Sequence, residues 1–272
     1  VAAQLKTLAE RATALYDHLA TVIRTEREVT IPAINRALRQ ALYGSGVTGK
    51  KAEEGKTVKT KNGYAASCKT TAPGLSLYGD MLCICGLAAG GSSDECFTTG
   101  ITIDWSNDAT TVLPQVQKKF PKGAAPALTA GNVDSAITAF ATRVRHVPDG
   151  TDTHHFLGKQ NTGTCSGVTG QLCVVYDTFY AANTKEGHLA IPWVAHLTTA
   201  AAKLREYEAA VADIKDATAA LKQLQSMAWT IYSIPDTDEA PAQQVTPKEQ
   251  LKKTQQACDQ HKKQQNHMRK YR

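Results

Sequence analysis

The sequence predicts a mainly α, elongated coiled-coil bundle of two long helices, with disulfide-pinned loop and short-strand lobes at the ends. Residues 1–44 and 191–231 each repeat apolar residues in alternating three- and four-residue steps, the seam of one helix packed along another. Most of the seven cysteines fall between these stretches, in sequence rich in Gly, Ser and Thr. The chain has 272 residues, enough for one large or two modest domains with a real core. Its apolar content is carried by Ala and Leu, which suits close helix packing.

The first seam is Leu5, Leu8, Ala12, Leu15, Leu19, Val22, Val29 and Ala33, with Glu26 the only polar break. Lys6, Glu10, Arg11, Asp17, Arg24 and Arg27 lie between these positions and form a solvated face. A helix of this length runs on the order of 60 Å. Gly44 offers the permissive backbone that commonly succeeds a helix C-terminus. Pro32 removes an internal hydrogen bond, so a kink or break is expected near Thr30.

Residues 45–69 have little apolar periodicity and read as an exposed loop. Residues 75–87 are more apolar and read as a short buried strand pair or a pinned loop, and residues 88–100 are turn-rich. A short helix is expected over 108–120, closed by Pro121 and Gly123. A firmer one covers 132–147, with Asn132 as N-cap, one face of Val133, Ile137, Phe140 and Val144, and Pro148 with Gly150 ending it. Residues 158–170 are loop, and 173–179 read as a short strand.

The second seam is Trp193, Leu197, Ala200, Leu204, Tyr207, Val211, Ile214, Thr218 and Leu221. Leu224, Ala228 and Ile231 continue it after a local stutter. Ile191, Pro192 and Trp193 suit a helix start. The domain reading is therefore 1–232 for the helical domain with its lobes, 233–247 for a linker, and 248–272 for a basic C-terminal helix.

Charge narrows the function classes. Formal net charge is +6, and from Lys248 onward eight Lys or Arg stand against Glu249 and Asp259, so the tail carries the whole excess. A nucleic-acid binder spreads positive charge over the folded face that meets phosphate, which this distribution does not do. No run of about 20 apolar residues suits a transmembrane helix. No signal peptide is visible, and no Asn-x-Ser/Thr sequon occurs.

Seven cysteines at 68, 83, 85, 96, 165, 173 and 258 read as a secreted disulfide framework with one thiol left over. Cys165 and Cys173 bracket a short loop and suit a small local disulfide. Cys68, Cys83, Cys85 and Cys96 are disulfide candidates whose connectivity stays open. A zinc site there, as in an intracellular coiled-coil scaffold, is disfavoured by the tight Cys83-x-Cys85 spacing and the lack of nearby His. Cys258 is left without a partner. His154 and His155, with His146 upstream, form the one histidine cluster before the tail; the adjacent pair reads as solvent-facing loop residues, and the three as a pH-responsive group, since imidazole charges between about pH 5 and 8. No phosphate loop, nucleophile elbow, zincin motif or paired carboxylates occur, so no catalytic residue, cofactor or resident metal is assigned and no enzyme is expected.

The order of these features resembles the N-terminal domains of trypanosome variant surface glycoproteins, class B in particular. The matching residues are the helix closing on Ala41-Leu42-Tyr43-Gly44, then Leu82-Cys83-Ile84-Cys85 with Cys96 beyond it. Leu128-Thr129-Ala130, Leu157-Gly158, Cys173-Val174-Val175-Tyr176 and Ile191-Pro192-Trp193 continue the pattern. The resemblance implies a homodimer on long antiparallel helices. It also implies a coat glycoprotein with a glycolipid anchor outside this chain, at the outer face of the plasma membrane. Its exposed end would vary under host antibodies, giving antigenic variation and immune evasion by steric shielding. The odd cysteine count, the missing small C-terminal domain and the short length depart from that pattern. They bring in a truncated, serum-resistance branch of the family, which captures host apolipoprotein L in endosomal or lysosomal compartments.

Overall fold

The computed structural model describes residues 1–59, 63–70, 72–88, 96, 101–107, 109–119, 126–149, 152–160, 165–181 and 187–234. The expected linker 233–247 and basic helix 248–272 lie outside these residues from 235 onward, Cys258 included, as does most of the turn-rich stretch 88–100.

The first seam folds as α1 (Ala2–Thr25), a π-helical turn (Glu26–Thr30) and α2 (Ile31–Tyr43). Pro32 has no N–H to give to the ladder, so a regular helix would carry a gap there. The chain widens one turn instead: the Ile31 N–H reaches back five residues to the Glu26 carbonyl. The wide turn rotates everything after it. Val29, expected on the seam, is 60% exposed, and Thr30 takes the inward place at 4%. Its Oγ1 donates to Glu26 Oε1 at 3.1 Å. Beyond the turn Ile34, Ala37 and Ala41 are buried. Gly44 ends α2 with φ 100°, and a Cβ there would collide with the Lys56 carbonyl.

The stretch after Gly44 is not the exposed loop expected. Val47, Thr57 and Val58 are buried. Thr57 Oγ1 donates to the Tyr43 carbonyl at 2.6 Å and accepts from the Glu53 N–H at 2.9 Å. The short helix α3 (Gly63–Ala65) then runs into a second π turn (Ala66–Thr70). Nor is 75–87 a strand pair. Leu77–Cys85 forms α4, whose N-cap Ser76 accepts from the Gly79 N–H at 2.9 Å and donates to the Thr57 carbonyl at 2.8 Å. Gly79 lets the helix lie against that carbonyl; a Cβ would overlap it. Because α4 is apolar on nearly every side, it has no amphipathic period to read.

Strand β1 (Gly86–Leu87) pairs in parallel with β2 (Ile101–Thr102). A 3-10 turn (Ala109–Val112) leads into α5 (Leu113–Lys119), where a short helix was expected. Helix α6 (Ala130–Ala141) starts earlier and stops sooner than 132–147. Thr129 is its N-cap, accepting from the Asn132 N–H at 3.2 Å, so Asn132 sits inside the first turn. The chain then extends into strand β3 (Arg145–Asp149), paired antiparallel with β4 (Asp152–Gly158), which pairs in turn with β5 (Cys173–Val175). The expected face of Val133, Ile137, Phe140 and Val144 does point inward, with Val144 held by the turn beyond the helix. Strand β5 gives way at Asp177 to α7 (Asp177–Tyr180), so the expected strand 173–179 is only half strand.

After a 3-10 turn (Gly187–Ala190) comes α8 (Pro192–Tyr232), 41 residues long. Its seam positions are Trp193, Leu197, Ala200, Leu204, Tyr207, Ala210, Ile214, Ala217 and Leu221, with Val194 and Ala201 buried beside them. Two three-residue steps succeed one another at Leu204, Tyr207 and Ala210, so the register shifts there and not at Leu221. Val211 is 46% exposed and Thr218 is exposed as a result.

Two compact units divide the chain: Val1–Ala12 with Lys222–Arg272, and Thr13–Leu221. In the smaller unit Leu8 is buried and Leu224, Ala228 and Ile231 share a half-buried face, while Trp229 and Tyr232 meet edge to face at the surface. In the larger unit His18 Nε2 meets Asp213 Oδ2 at 2.8 Å, and Ser45 Oγ meets His196 Nε2 at 2.8 Å. Advancing from 18 to 45 is matched by retreating from 213 to 196, so the two helical runs are antiparallel there. Helix α6 docks on α8 in the same unit. Glu208 Oε1 accepts the Ala130 N–H at 2.9 Å, and Arg205 pairs with Asp134. The core runs from Ile34 through α4, β2, α6 and β5 to Leu204.

Candidate functional site

The lobe between the two long helical runs collects every described residue singled out as a site candidate. Three disulfides staple it: Cys68 to Cys83, Cys85 to Cys96, and Cys165 to Cys173, with Cα atoms 5.6, 5.3 and 5.4 Å apart. Cys83 and Cys85 turn to different partners along α4, and a half-cystine sulfur is not the thiolate that zinc requires. Among the described residues no group of three or more His, Cys, Asp or Glu is placed to hold a metal ion.

Tyr64 ties two of the staples together. Its buried hydroxyl lies 2.9 Å from the Cys83 carbonyl and 3.0 Å from the Cys173 carbonyl, and it accepts the Cys173 N–H at 2.9 Å. The one proton is shared between the two carbonyls. Burial pushes the hydroxyl's pKa up, with the Cys173 N–H pulling the other way. Trp105 packs edge to face on the Tyr64 ring.

At the heart of the lobe is Asp80, 3% exposed. Its Oδ2 accepts from the Tyr176 hydroxyl and the Trp193 indole N–H, both at 2.7 Å, and its Oδ1 accepts the Gly74 N–H at 2.9 Å. Burial raises its pKa to about 6, with the bonds from Tyr176, Gly74 and Trp193 opposing that rise. The arrangement joins α4, the end of β5 and the first turn of α8 through one carboxylate. Phe140 of α6 closes the cluster edge-on against Trp193 at 4.5 Å and Tyr176 at 5.8 Å. Sequence reasoning placed Trp193 on the helical seam as core, and buried it is; the polar role of its indole went unread. Asp80 had a signal, being the lone acid in the apolar stretch from Leu75 to Leu87.

The three histidines lie on the β3–β4 hairpin: His154 and His155 are on a strand and not in the loop expected of them, and His146 is on a strand and not in the expected helix. His146 stands opposite His155. His154 Nδ1 meets Asp177 Oδ2 at 2.7 Å, and the His155 backbone N–H donates to Asp177 Oδ1 at 2.6 Å. Asp177 and Tyr180, both on α7, complete the cluster and were not singled out in the sequence. The lobe has the features of a stapled, polar-cored scaffold, in which Tyr64, Asp80 and the six bridged cysteines all hold the fold.

A model of the trypanosomal VSG domain matches residues 1–223 of the chain. Among curated relatives, the variant surface glycoprotein ILTAT 1.21 of Trypanosoma brucei brucei is 29% identical over 174 residues, covering 62% of this chain and 34% of the relative. The variant surface glycoprotein ILTAT 1.23 of the same organism is 25% identical over 243 residues, covering 84% of this chain and 45% of the relative. The chain thus spans less than half the length of either.

Proposed function

Since the chain belongs to the trypanosomal variant surface glycoprotein domain family, we propose that it is the N-terminal domain of a coat glycoprotein that shields the cell sterically and is exchanged in antigenic variation. The observation that carries this reading is the family match over 1–223, which takes in α1, the whole stapled lobe and most of α8. ILTAT 1.21 and ILTAT 1.23 are themselves variant surface glycoproteins.

The physical design suits a covering layer. Helix α8 alone is about 60 Å long, and its packing depends on small and apolar seam positions rather than on surface residues. Exposed positions and loops are then free to change while the buried frame of Asp80, Tyr64 and the three disulfides keeps its form. Coverage needs no catalytic centre. Host antibodies are the partners such a surface meets, and a homodimer through the long helices fits the family. No described helix is long and apolar enough to cross a membrane; attachment is assigned to a glycolipid anchor outside this chain.

The test is staining of live, unpermeabilised trypanosomes expressing the full-length protein, using antibody raised to residues 1–234. Uniform surface staining that phosphatidylinositol-specific phospholipase removes is expected. Staining confined to internal compartments of permeabilised cells overturns the coat reading. Light scattering of the purified domain at high micromolar concentration checks the dimer, which a monomer mass would refute.

A further inference from the structure

The β3–β4 hairpin and α7 build an arrangement that a stapled scaffold does not require. The rings of His146 and His155 meet edge to face with centroids 4.7 Å apart. Tyr180 lies flat on His155 at 4.2 Å and 10°, and edge-on to His146 at 5.5 Å. The His155 side chain is 14% exposed. Its buried Nδ1 stands 3.5 Å from Asp177 Oδ1, beyond the reach of a good hydrogen bond. Asp177 is already engaged by His154 and by the His155 backbone. Helix α7 is therefore held to the hairpin at its first residue by the Asp177 carboxylate and at its last by Tyr180 stacked on His155.

We propose that His155 is the pin of an acid-opened latch: charging its imidazole beside His146 releases the Tyr180 end of α7 from the hairpin, while Asp177 keeps the other end in place.

Among the described side chains, the charged and titratable groups around the pin come from four elements. Strand β3 brings His146 and Arg145, whose guanidinium lies 5.3 Å over the Phe156 ring. Strand β4 brings His154, α7 brings Asp177 and Tyr180, and the turn at 187–190 brings His188, whose backbone is hydrogen-bonded to the Tyr180 hydroxyl. In the closed state burial, and then His146, hold the His155 pKa below 6.5, with Asp177 pulling partly the other way. Once Tyr180 leaves, the ring is hydrated and returns toward the ordinary value. The open state then binds more protons below pH 6.5, so acid favours opening. Asp80 titrates in a neighbouring range but with the opposite sign, since its folded form holds the proton more tightly; it does not account for opening in acid.

Release of the Tyr180 end has a defined consequence. Phe179 packs at Gly74 and beside Tyr176 at 6.3 Å. Opening exposes the covered faces of Phe179 and Tyr180 together, both half-buried in the closed state.

Hydrogen exchange of the full chain, corrected for the intrinsic effect of pH, reads this directly. Between pH 7.5 and 5.5 the opening of residues 178–181 is expected to grow by up to about tenfold per pH unit below 6.5, until the ring charges in place. In His155→Phe, which keeps the stack but takes no proton, that growth should vanish. Unchanged protection in the wild type, or equal opening in His155→Phe, overturns the latch. A second measurement needs no variant: the His155 ring protons should titrate below pH 6.5, and a midpoint at or above 6.5 overturns it as well.

Discussion

Trp193 and Asp80 lie 113 residues apart in the chain and share a 2.7 Å hydrogen bond, indole N–H to carboxylate. That bond fixes where α8 begins relative to α4, and it does so through a group whose charge depends on pH. Asp80 binds its proton more tightly folded, near pH 6, than unfolded, near 3.8. The folded state therefore holds the extra proton between those values, and stability falls as pH rises through them, by roughly 3 kcal/mol for a shift of this size. In Asp80→Asn this slope should disappear, leaving the opposite slope of His155 below pH 6.5. Urea unfolding at pH 4, 5, 6 and 7 checks it; an unaltered pH profile in the variant refutes the assignment.

Tyr64→Phe keeps the ring against Trp105 and removes the hydroxyl shared by the Cys83 and Cys173 backbones. It leaves a buried N–H without that acceptor, at a cost of about 1–3 kcal/mol. Thermal unfolding of the oxidised protein should shift down by roughly 2–8 °C. Peptide mapping should show the three disulfides still correctly paired.

The shifted register of α8 separates two neighbouring substitutions. Leu204 is 4% exposed and Val211 is 46% exposed. Leu204→Asp puts an unpaired charge in the core and should cost about 4 kcal/mol or more. Val211→Asp should cost under about 1 kcal/mol. Equal losses in denaturant unfolding would restore Val211 to the seam.

Gly44 and Gly55 both have positive φ, 100° and 79°. A Cβ at Gly55 meets nothing within 4 Å, whereas one at Gly44 runs into the Lys56 carbonyl. Gly55→Ala should therefore cost only the backbone strain, about 1 kcal/mol, and Gly44→Ala distinctly more. The difference between the two midpoints measures how closely the chain packs as it leaves α2.

Long periodic helices were the most legible part of the sequence. The second seam, read over 191–231, folds as Pro192–Tyr232, because a three-four rhythm sustained over ten turns has no competing explanation. Within it, the register shift at Leu204–Ala210 turned Ala210 and Ala217 inward in place of the larger Val211 and Thr218. Helix α4 stayed hidden because its nine residues are apolar almost all round. Strand β3 was absorbed into the helix before it because Val144 and Val147 fall on helical spacing; only pairing with Asp152–Gly158 tells the two apart. The site divides in the same way. Cys165 with Cys173, and the three histidines, stand near one another in the sequence. Asp177, Tyr180 and the Asp80–Trp193 bond depend on contacts that no local spacing encodes.

The three disulfides close separations of only 15, 11 and 8 residues. Each pair can therefore meet soon after its second cysteine leaves the ribosome tunnel. At about 5–20 residues per second, the chain from Cys173 to Tyr232 takes on the order of 3–12 s to emerge. Oxidation of the lobe can thus finish on the nascent chain before the last turn of α8 exists. The helical zipper then closes onto an object whose covalent map is already settled, and a chain stalled at that stage is correctly crosslinked yet still unzipped.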